Sequence, residues 1–441
     1  MDKIGIISLG CPRNLVDSEV MIGLLKNRGY KIVDSVEDAD IAIVNTCAFI
    51  KDATDESLDT IFGLIDLKKR RKISRIIVAG CLAQRYKGSL KDELGEIDGF
   101  IGTGDLMEIG SAIDRIRDRD KPFLVSKEPK FIYDEKCARE LITPGHSVYV
   151  KIQEGCGNKC SYCLIPSLRG PLRSRPIESV KSEILSLSRE RDISEINIIG
   201  QDTTLYGEDI YKAKSVAKLL REITALKKAR WIRLLYTHPA HWTEDLIDTI
   251  KNEKSICRYV DLPIQHISDA MLLRMNRKTD SRSIRSLIYN LREGIPGLAI
   301  RSTVMVGFPG ETESDFRELM DFLKEVRFER LGAFIYSNEE GAPSFAFKDQ
   351  VPEDVKTGRL DEVMKLQQDI SREHNKAFLN KTIDVLVDEA DDKGTFMGRT
   401  EFDAPSVDGE VFLNGKGLAI GSFVRAKIVD TLEYDLVGDV Q

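Results

Sequence analysis

Ten residues, Glu154-Gly155-Cys156-Gly157-Asn158-Lys159-Cys160-Ser161-Tyr162-Cys163, constrain this chain more than any other stretch. The spacing C-x3-C-x2-C puts three thiols on one short loop, directly after the apolar run Val148–Gln153, which reads as a strand. Three thiolates so close together can each hold one iron of a 4Fe–4S cube and leave the fourth iron open. A zinc loop is the bland alternative. Tetrahedral zinc, however, needs a fourth ligand that this loop does not supply.

The surroundings of the loop place it in a fold. From His146 to about Asn375 a strand and a helix alternate six times. The expected strands are Val148–Gln153, Ile196–Ile199, Ile232–Tyr236, Arg258–Leu262, Ile300–Val306 and Leu331–Ile335. Amphipathic stretches such as Ile177–Arg189, Ser281–Arg292 and Glu313–Val326 lie between them. Six units without room for eight predict a partial, open (β/α)6 barrel over residues 145–375, with the cysteine loop at its carboxyl face. Residues 1–130 show a second alternation, with buried strands at Ile4–Leu9, Ile41–Asn45 and Ile76–Ala79 and helices over Ser18–Asn27 and Glu56–Lys69. That pattern predicts an open parallel α/β sheet. A polar connector, Lys127–Pro144, separates the two. Residues 378–441 carry short β-rich pieces, Ile383–Val387, Glu410–Leu413 and Phe423–Val429, broken by Gly, Asp and Asn turns. They predict a small antiparallel β-barrel. The fold class is therefore α/β with a β-barrel appended.

The sheet domain holds the second cysteine pattern. Cys11 follows Ile7-Ser8-Leu9-Gly10, Cys47 follows Val44-Asn45-Thr46, and Cys81 follows Val78-Ala79-Gly80. Each lies just past the carboxyl end of an expected parallel strand, and those ends share the edge where open sheets bind ligands. One such cysteine would be an ordinary buried residue. Three at one topological position point to a second three-thiolate cluster. Cys137 and Cys257 have no comparable context and read as structural.

Composition narrows the setting. With 42% hydrophobic and 31% charged residues the chain is neither disordered nor membrane-spanning. Its N-terminus lacks the apolar core of a secretion signal. A cytoplasmic location is expected, where eight cysteines serve metals before disulfides. The tail holds six Lys or Arg against 13 Asp or Glu, so it alone matches the whole chain's net charge of −7. The basic run Lys68–Lys72 reads as the solvated end of a helix.

The C-x3-C-x2-C loop after the first barrel strand is the signature of the radical S-adenosylmethionine (SAM) superfamily. Two three-cysteine sets on these two domains, followed by a small barrel similar to the TRAM domain, resemble the methylthiotransferases over the whole chain. The resemblance implies SAM as cofactor and two 4Fe–4S clusters. Cys11, Cys47 and Cys81 would hold the auxiliary one, and Cys156, Cys160 and Cys163 the one that binds SAM. The resemblance further implies two SAM molecules per turnover, one to methylate a sulfur species associated with the auxiliary cluster and another to supply a 5′-deoxyadenosyl radical. An electron donor such as flavodoxin or ferredoxin is implied as well.

Within that family the motifs are similar to those of the member that methylthiolates the β-carbon of an aspartate in ribosomal protein uS12. The matches are Ser8–Glu19, Asn45–Ile50, Gln201-Asp202-Thr203, Asp261–His266 and Tyr336–Gly341; Ala342 stands where a Thr is usual. The tRNA-modifying members typically carry Gln-Met-Asn after the first cysteine and Gln-Asn-Val after the second barrel strand. Neither occurs here. A tRNA adenosine methylthiotransferase is the second reading, and a non-catalytic nucleic-acid scaffold the third. The acidic tail separates the first two, because it would repel a phosphate backbone and attract a basic ribosomal protein. Binding of uS12 through that tail is expected, and binding of tRNA is not.

Polar residues at the barrel mouth are the candidates for SAM contacts: Gln201, Asp202, Gln265 and Arg301, with Tyr162 beside the last ligand. His266 shares that mouth. Gly307–Gly310 reads as a close backbone approach to the cofactor. His238 and His241 are a weak metal pair. Arg169, Arg173 and Arg175 read either as a carboxylate-binding set or as a solvated approach to a helix.

Overall fold

The computed structural model describes residues 2–441. Six parallel strands form the N-terminal sheet, in the order Lys31–Val33, Lys3–Ser8, Ile41–Thr46, Arg75–Gly80, Gly99–Ile101, Phe123–Leu124. The two central strands are buried almost end to end, as parallel strands covered on both faces are. Strand order reverses at Lys3–Ser8, and this reversal opens a crevice at the carboxyl edge. Two helices begin earlier than the sequence pattern predicts, at Pro12–Asn27 and Lys51–Lys69. Pro12 suits a first helical position, where its missing N–H costs nothing.

The central domain has all six expected strand–helix units. Trp231–Leu234, Glu195–Ile199 and Ser147–Lys151 form one parallel sheet; Tyr259–Asp261, Ala299–Val306 and Arg330–Ile335 form another. A single bridge, Ile232 to Ile256, joins them. Among the described residues the first and last strands form no ladder, so the barrel stays open. Its outer face packs on helices through Val148, Ile196, Ile232, Ile300 and Val304.

The tail is a closed five-stranded barrel: Thr382–Ala390, Phe396–Arg399, Val411–Asn414, Leu436–Val440 and Phe423–Thr431. It is antiparallel except for Val411–Asn414 beside Leu436–Val440, a parallel pair. Two strands, Phe396–Arg399 and Leu436–Val440, are absent from the sequence pattern because Gly398 and Gly438 interrupt their apolar runs.

How the domains meet decides where the sites lie. The first helix of the sheet domain lays Val16 and Val20 against Tyr149 of the first barrel strand. Glu339 accepts the Lys51 N–H at 2.7 Å and pairs with Arg85 at 2.7 Å, which fastens the same two domains at a second point. The tail caps the amino ends of the barrel strands, with Phe423 edge-on to Trp231 at 4.7 Å between centroids. Around that contact Glu195 binds Arg233 at 2.9 Å and Arg399 at 2.8 Å, and Asp403 binds Arg330 at 2.7 Å. Part of the tail's acidity is thus turned inward: Asp388, Asp403 and Asp408 face basic residues of this chain. Glu389, Asp391, Asp392, Asp430 and Asp439 remain exposed.

Candidate functional site: two thiol triads on one mouth

Cys11, Cys47 and Cys81 follow three strands that are neighbours in the sheet. Thr46 is in register with Gly80, and Ser8 with Asn45. Since adjacent strands lie about 4.8 Å apart, their ends carry the three thiols into one crevice. Gly10 makes room for this approach: its φ is +82°, and a Cβ there would stand 2.6 Å from the Cys47 Cβ and 3.0 Å from its sulfur. The Asn14 amide ties the turns together by donating to the carbonyls of Leu9 at 2.8 Å and Asn45 at 3.2 Å.

Two guanidiniums flank the thiols. Arg13 donates to the Cys11 sulfur at 3.4 Å, and Arg169 to the Cys81 sulfur at 3.6 Å. Burial raises the Cys11 thiol, but Arg13 and Arg169 outweigh it and leave the group below its ordinary value. At Cys81 burial prevails and pushes the thiol up to about 11 despite Arg169. Cys47 is raised too, mainly by burial.

Arg169 also joins the two domains. It is buried and binds Asp17 at 2.5 Å, Glu154 at 3.4 Å and Asn14 at 3.0 Å, while Lys151 binds the same Asp17 and Glu154 at 2.5 and 2.6 Å. Asp17 and Asn14 come from the sheet domain; Arg169, Glu154 and Lys151 come from the barrel. Burial disfavours the Glu154 carboxylate, yet Lys151 and Arg169 pull it down to about 2. Arg13 reaches the barrel on the other side, donating to the Gly200 carbonyl at 2.9 Å and lying 4.2 Å over the Tyr236 ring. The triad of Cys11, Cys47 and Cys81 therefore opens onto the carboxyl ends of the barrel strands.

Cys156, Cys160 and Cys163 sit at that same mouth. Backbone N–H groups of Asn158 and Ile165 donate to the sulfurs of Cys156 and Cys163, each at 3.4 Å, and Arg277 donates to the Cys160 sulfur at 3.7 Å. Burial raises the Cys156 thiol to about 11 and the Cys163 thiol to about 12. Among the described residues, neither cysteine set brings three sulfurs within 4.8 Å of one another. Tetrahedral zinc would hold its thiolates about 3.8 Å apart, closer than either set is gathered, and would need a fourth ligand besides. Buried polar atoms without a partner surround this loop: the side-chain oxygens of Gln153 and Gln201, Nε2 of His238 and Nε of Arg277. Such atoms fit a polar cofactor bound above the loop.

The sequence candidates fare differently here. Gln201 donates to Glu154 and keeps its oxygen free. Asp202, its carboxyl raised by burial, accepts from Asn158 at 2.6 Å and from Thr204 at 2.5 Å, so it holds the cysteine loop. Tyr162 takes a hydrogen bond from Arg277 at 3.4 Å and packs with Met271 and Phe308. Gln265 has a left-handed backbone, φ +70°, and its carbonyl accepts from Met305.

Arg301 does not serve as expected. It stands near the amino end of its strand and binds Asp261 at 3.3 Å and Asp408 of the tail at 3.2 Å, which commits it to domain docking. Gly307 and Gly310 also serve packing: added Cβ atoms would strike Lys356 and Asp349. Arg175 is buried against Glu183 at 2.5 Å, and Arg169 is the thiol partner described above; neither is solvated. Sequence reasoning assigned no role to Arg13, Asn158, Gln153 or Arg277. Arg13, two residues from Cys11, and Asn158, inside the cysteine loop, carried a local signal.

A six-unit open barrel with a C-x3-C-x2-C loop at its mouth, joined to a sheet that presents a second thiol triad to it, defines a radical SAM enzyme. Comparison with known proteins agrees. The family model described as the uncharacterized protein family UPF0004 matches residues 3–102, that of the radical SAM superfamily residues 150–323, and that of the TRAM domain residues 381–440. The solved structure of the radical SAM methyltransferase TsrM from Kitasatospora setae superposes with a TM-score of 0.55 at 16% identity. It covers 76% of this chain and 71% of its own, and at that identity it shows a shared fold. The ribosomal protein uS12 methylthiotransferase RimO of Geobacter sulfurreducens is 46% identical over 441 residues, covering all of this chain and 98% of its own. RimO of Clostridioides difficile is 44% identical over 442 residues, with 100% and 99% covered. The chain belongs to the RimO family of ribosomal protein uS12 methylthiotransferases.

Proposed function

We propose that this chain adds a methylthio group to the β-carbon of an aspartate in ribosomal protein uS12, in the cytoplasm. The observation that carries this reading is 43–46% identity to uS12 methylthiotransferases across the full chain. It favours uS12 over tRNA as the substrate. Cys156, Cys160 and Cys163 would hold the SAM-binding cluster, and Cys11, Cys47 and Cys81 the auxiliary one. A cluster held by the first set would supply one-electron reduction of SAM, and through it the opening of the substrate C–H bond, with the electron drawn from a donor such as flavodoxin or ferredoxin.

The chain's own residues provide the setting. Arg277 and two backbone N–H groups stabilise the thiolates of the SAM loop. Gln153 and Gln201 offer acceptors to SAM's ammonium and hydroxyl groups. Arg13 and Arg169 bring positive charge to the auxiliary triad, and the buried Asp17–Lys151–Glu154–Arg169 set keeps the two triads in fixed relation. The exposed acids Glu389, Asp391, Asp392, Asp430 and Asp439 would attract the basic substrate. No helix among the described residues is long and apolar enough to cross a membrane.

The test is mass spectrometry of uS12 and tRNA from cells with and without this gene. One uS12 peptide should lose its methylthio increment in the deletion. A change confined to tRNA would overturn the reading.

A further inference from the structure

His238 follows the third barrel strand, next to the SAM loop, and it is held in one tautomer. Its backbone N–H donates to Thr204 Oγ1 at 3.1 Å, and its ring Nδ1 accepts the Ala240 N–H at 3.1 Å. A neutral imidazole that accepts at Nδ1 carries its proton on Nε2. The ring is neutral: burial pushes its pKa well below the ordinary value, and Arg277, His241, Lys278 and Lys214 add to the shift. His241 stacks against it at 4.9 Å between centroids and 29° between planes, which fixes where Nε2 points. His238 is only 5% exposed, and Nε2 has no partner in the protein. A buried donor left unpaired is costly, so a ligand that accepts from it is the physical expectation.

The two side chains grouped with it, Asp202 and His241, are already engaged. His241 Nε2 lies 2.9 Å from Asn158 Oδ1, and the Asn158 amide donates to Asp202 at 2.6 Å. Asn158 belongs to the loop between Cys156 and Cys160. Ligand atoms of Asp202, His238 and His241 do come within 4.8 Å of one another, which is the outline of a cation site. Three things oppose a cation. His238 Nε2 bears a proton, Asp202 and His241 are bound to Asn158, and Arg277, Lys278 and Lys214 make the surroundings positive. Those same charges favour an anionic acceptor.

We propose that His238 Nε2–H is a binding donor for a carboxylate oxygen above the cysteine loop. The reaction read above brings two such carboxylates to this mouth: that of SAM's methionine part and that of the target aspartate. The inference rests on that reading and adds the residue that orients one of them.

The experiment uses anaerobically reconstituted full-length enzyme, wild type, His238→Gln and His238→Ala. Iron content, SAM affinity by calorimetry, the EPR change of the reduced cluster on adding SAM, and KM for uS12 are measured, with the ratio of methylthiolated product to 5′-deoxyadenosine. Both variants should keep wild-type iron. His238→Ala should weaken one carboxylate's binding by about tenfold to a hundredfold. His238→Gln, which retains an N–H donor, should recover part of it. Loss of SAM affinity with an altered EPR response assigns the contact to SAM. Intact SAM affinity with a raised KM and less product per 5′-deoxyadenosine assigns it to the aspartate.

Unchanged SAM affinity and unchanged KM in both variants would overturn the proposal. So would a stoichiometric divalent metal other than iron in the wild type that both variants lose. Should the Ala variant lose iron, the Gln variant and two wild-type measurements decide. These are affinities for SAM methyl ester, which lacks the free carboxylate, and for uS12 with its target Asp replaced by Asn. If neither ligand change weakens binding, the proposal fails. A wild type that never modifies uS12 would sink the functional reading instead, and SAM affinity would still test His238.

Discussion

The two thiol triads are built in opposite ways. Cys156, Cys160 and Cys163 share one loop, so eight consecutive residues carry all three sulfurs. Cys11, Cys47 and Cys81 come from three strand ends and meet only because those strands are neighbours in the sheet. The loop triad takes its hydrogen bonds largely from its own backbone. The strand-end triad relies on Arg169, contributed by another domain, and on Gly10 for space. A local site survives distant disturbance of the fold, whereas an assembled one fails whenever its scaffold shifts. This contrast can be tested at several points.

The largest effect should come from removing each triad. Reconstituted wild type should bind about eight irons, and replacing either triad by alanines should remove about four. Without the loop triad all SAM cleavage should stop. Without the strand-end triad 5′-deoxyadenosine should still form, with no methylthiolated product. Undiminished iron in the Cys11/Cys47/Cys81 variant would break the comparison at its root.

A sharper version uses glycines. Gly10→Ala forces a side chain onto Cys47 at a left-handed φ of +82°, and iron should fall by about four while SAM cleavage persists. Gly157→Ala, inside the loop triad, meets its nearest neighbour, Leu205, at an ordinary 3.5 Å, and it should leave iron content unchanged. Equal losses in the two variants would show that the loop is no more tolerant than the strand ends.

Acid should act on the assembled parts of the molecule first. Burial alone would raise the Glu195 carboxyl, but Arg399 and Arg233 reverse this and hold it at about 2. A folded-state pKa below the unfolded one stabilises at neutral pH, and that stability disappears as pH falls through the unfolded value toward 2. The loss amounts to about 3 kcal/mol. Because Glu195 binds Arg399 of the tail, the docking of that domain should weaken over this range. Trp231, edge-on to Phe423, should report it by fluorescence in the apo-protein. Glu195→Gln should flatten the acid slope and lower stability at neutral pH.

The smallest effect concerns the tail's outer face. Reversing Glu389, Asp392 and Asp430 to Lys should weaken uS12 binding several-fold at low salt and little at high salt, with the melting temperature nearly unchanged. The same reversal at Asp403 or Asp408 should undock the tail, since both are buried against arginines. A salt-independent result for the exposed set would remove the acidic face from substrate binding.

What the chain's letters determine by themselves is everything that repeats at short range. The six strand–helix units, the C-x3-C-x2-C loop and the cysteines placed just after apolar runs are all written in periods of two and 3.6 residues and in turn chemistry. Glu313–Val326 even forms with the bounds its pattern predicts. Tertiary structure alone decided the partners. Arg301 looks like a mouth residue until Asp408, 107 positions on, is seen to bind it. Arg169 reads equally as a substrate-carboxylate binder or a solvated arginine until the sheet domain closes over it with Asp17, 152 positions away. The tail's net charge was readable, but the inward turn of Asp388, Asp403 and Asp408 was not. His238 gave no sign of its free Nε2, because being unpaired is a property of everything around a group. Local pattern encodes which face of an element is buried; which atoms then stand opposite one another depends on how the domains pack, and no short-range pattern records it.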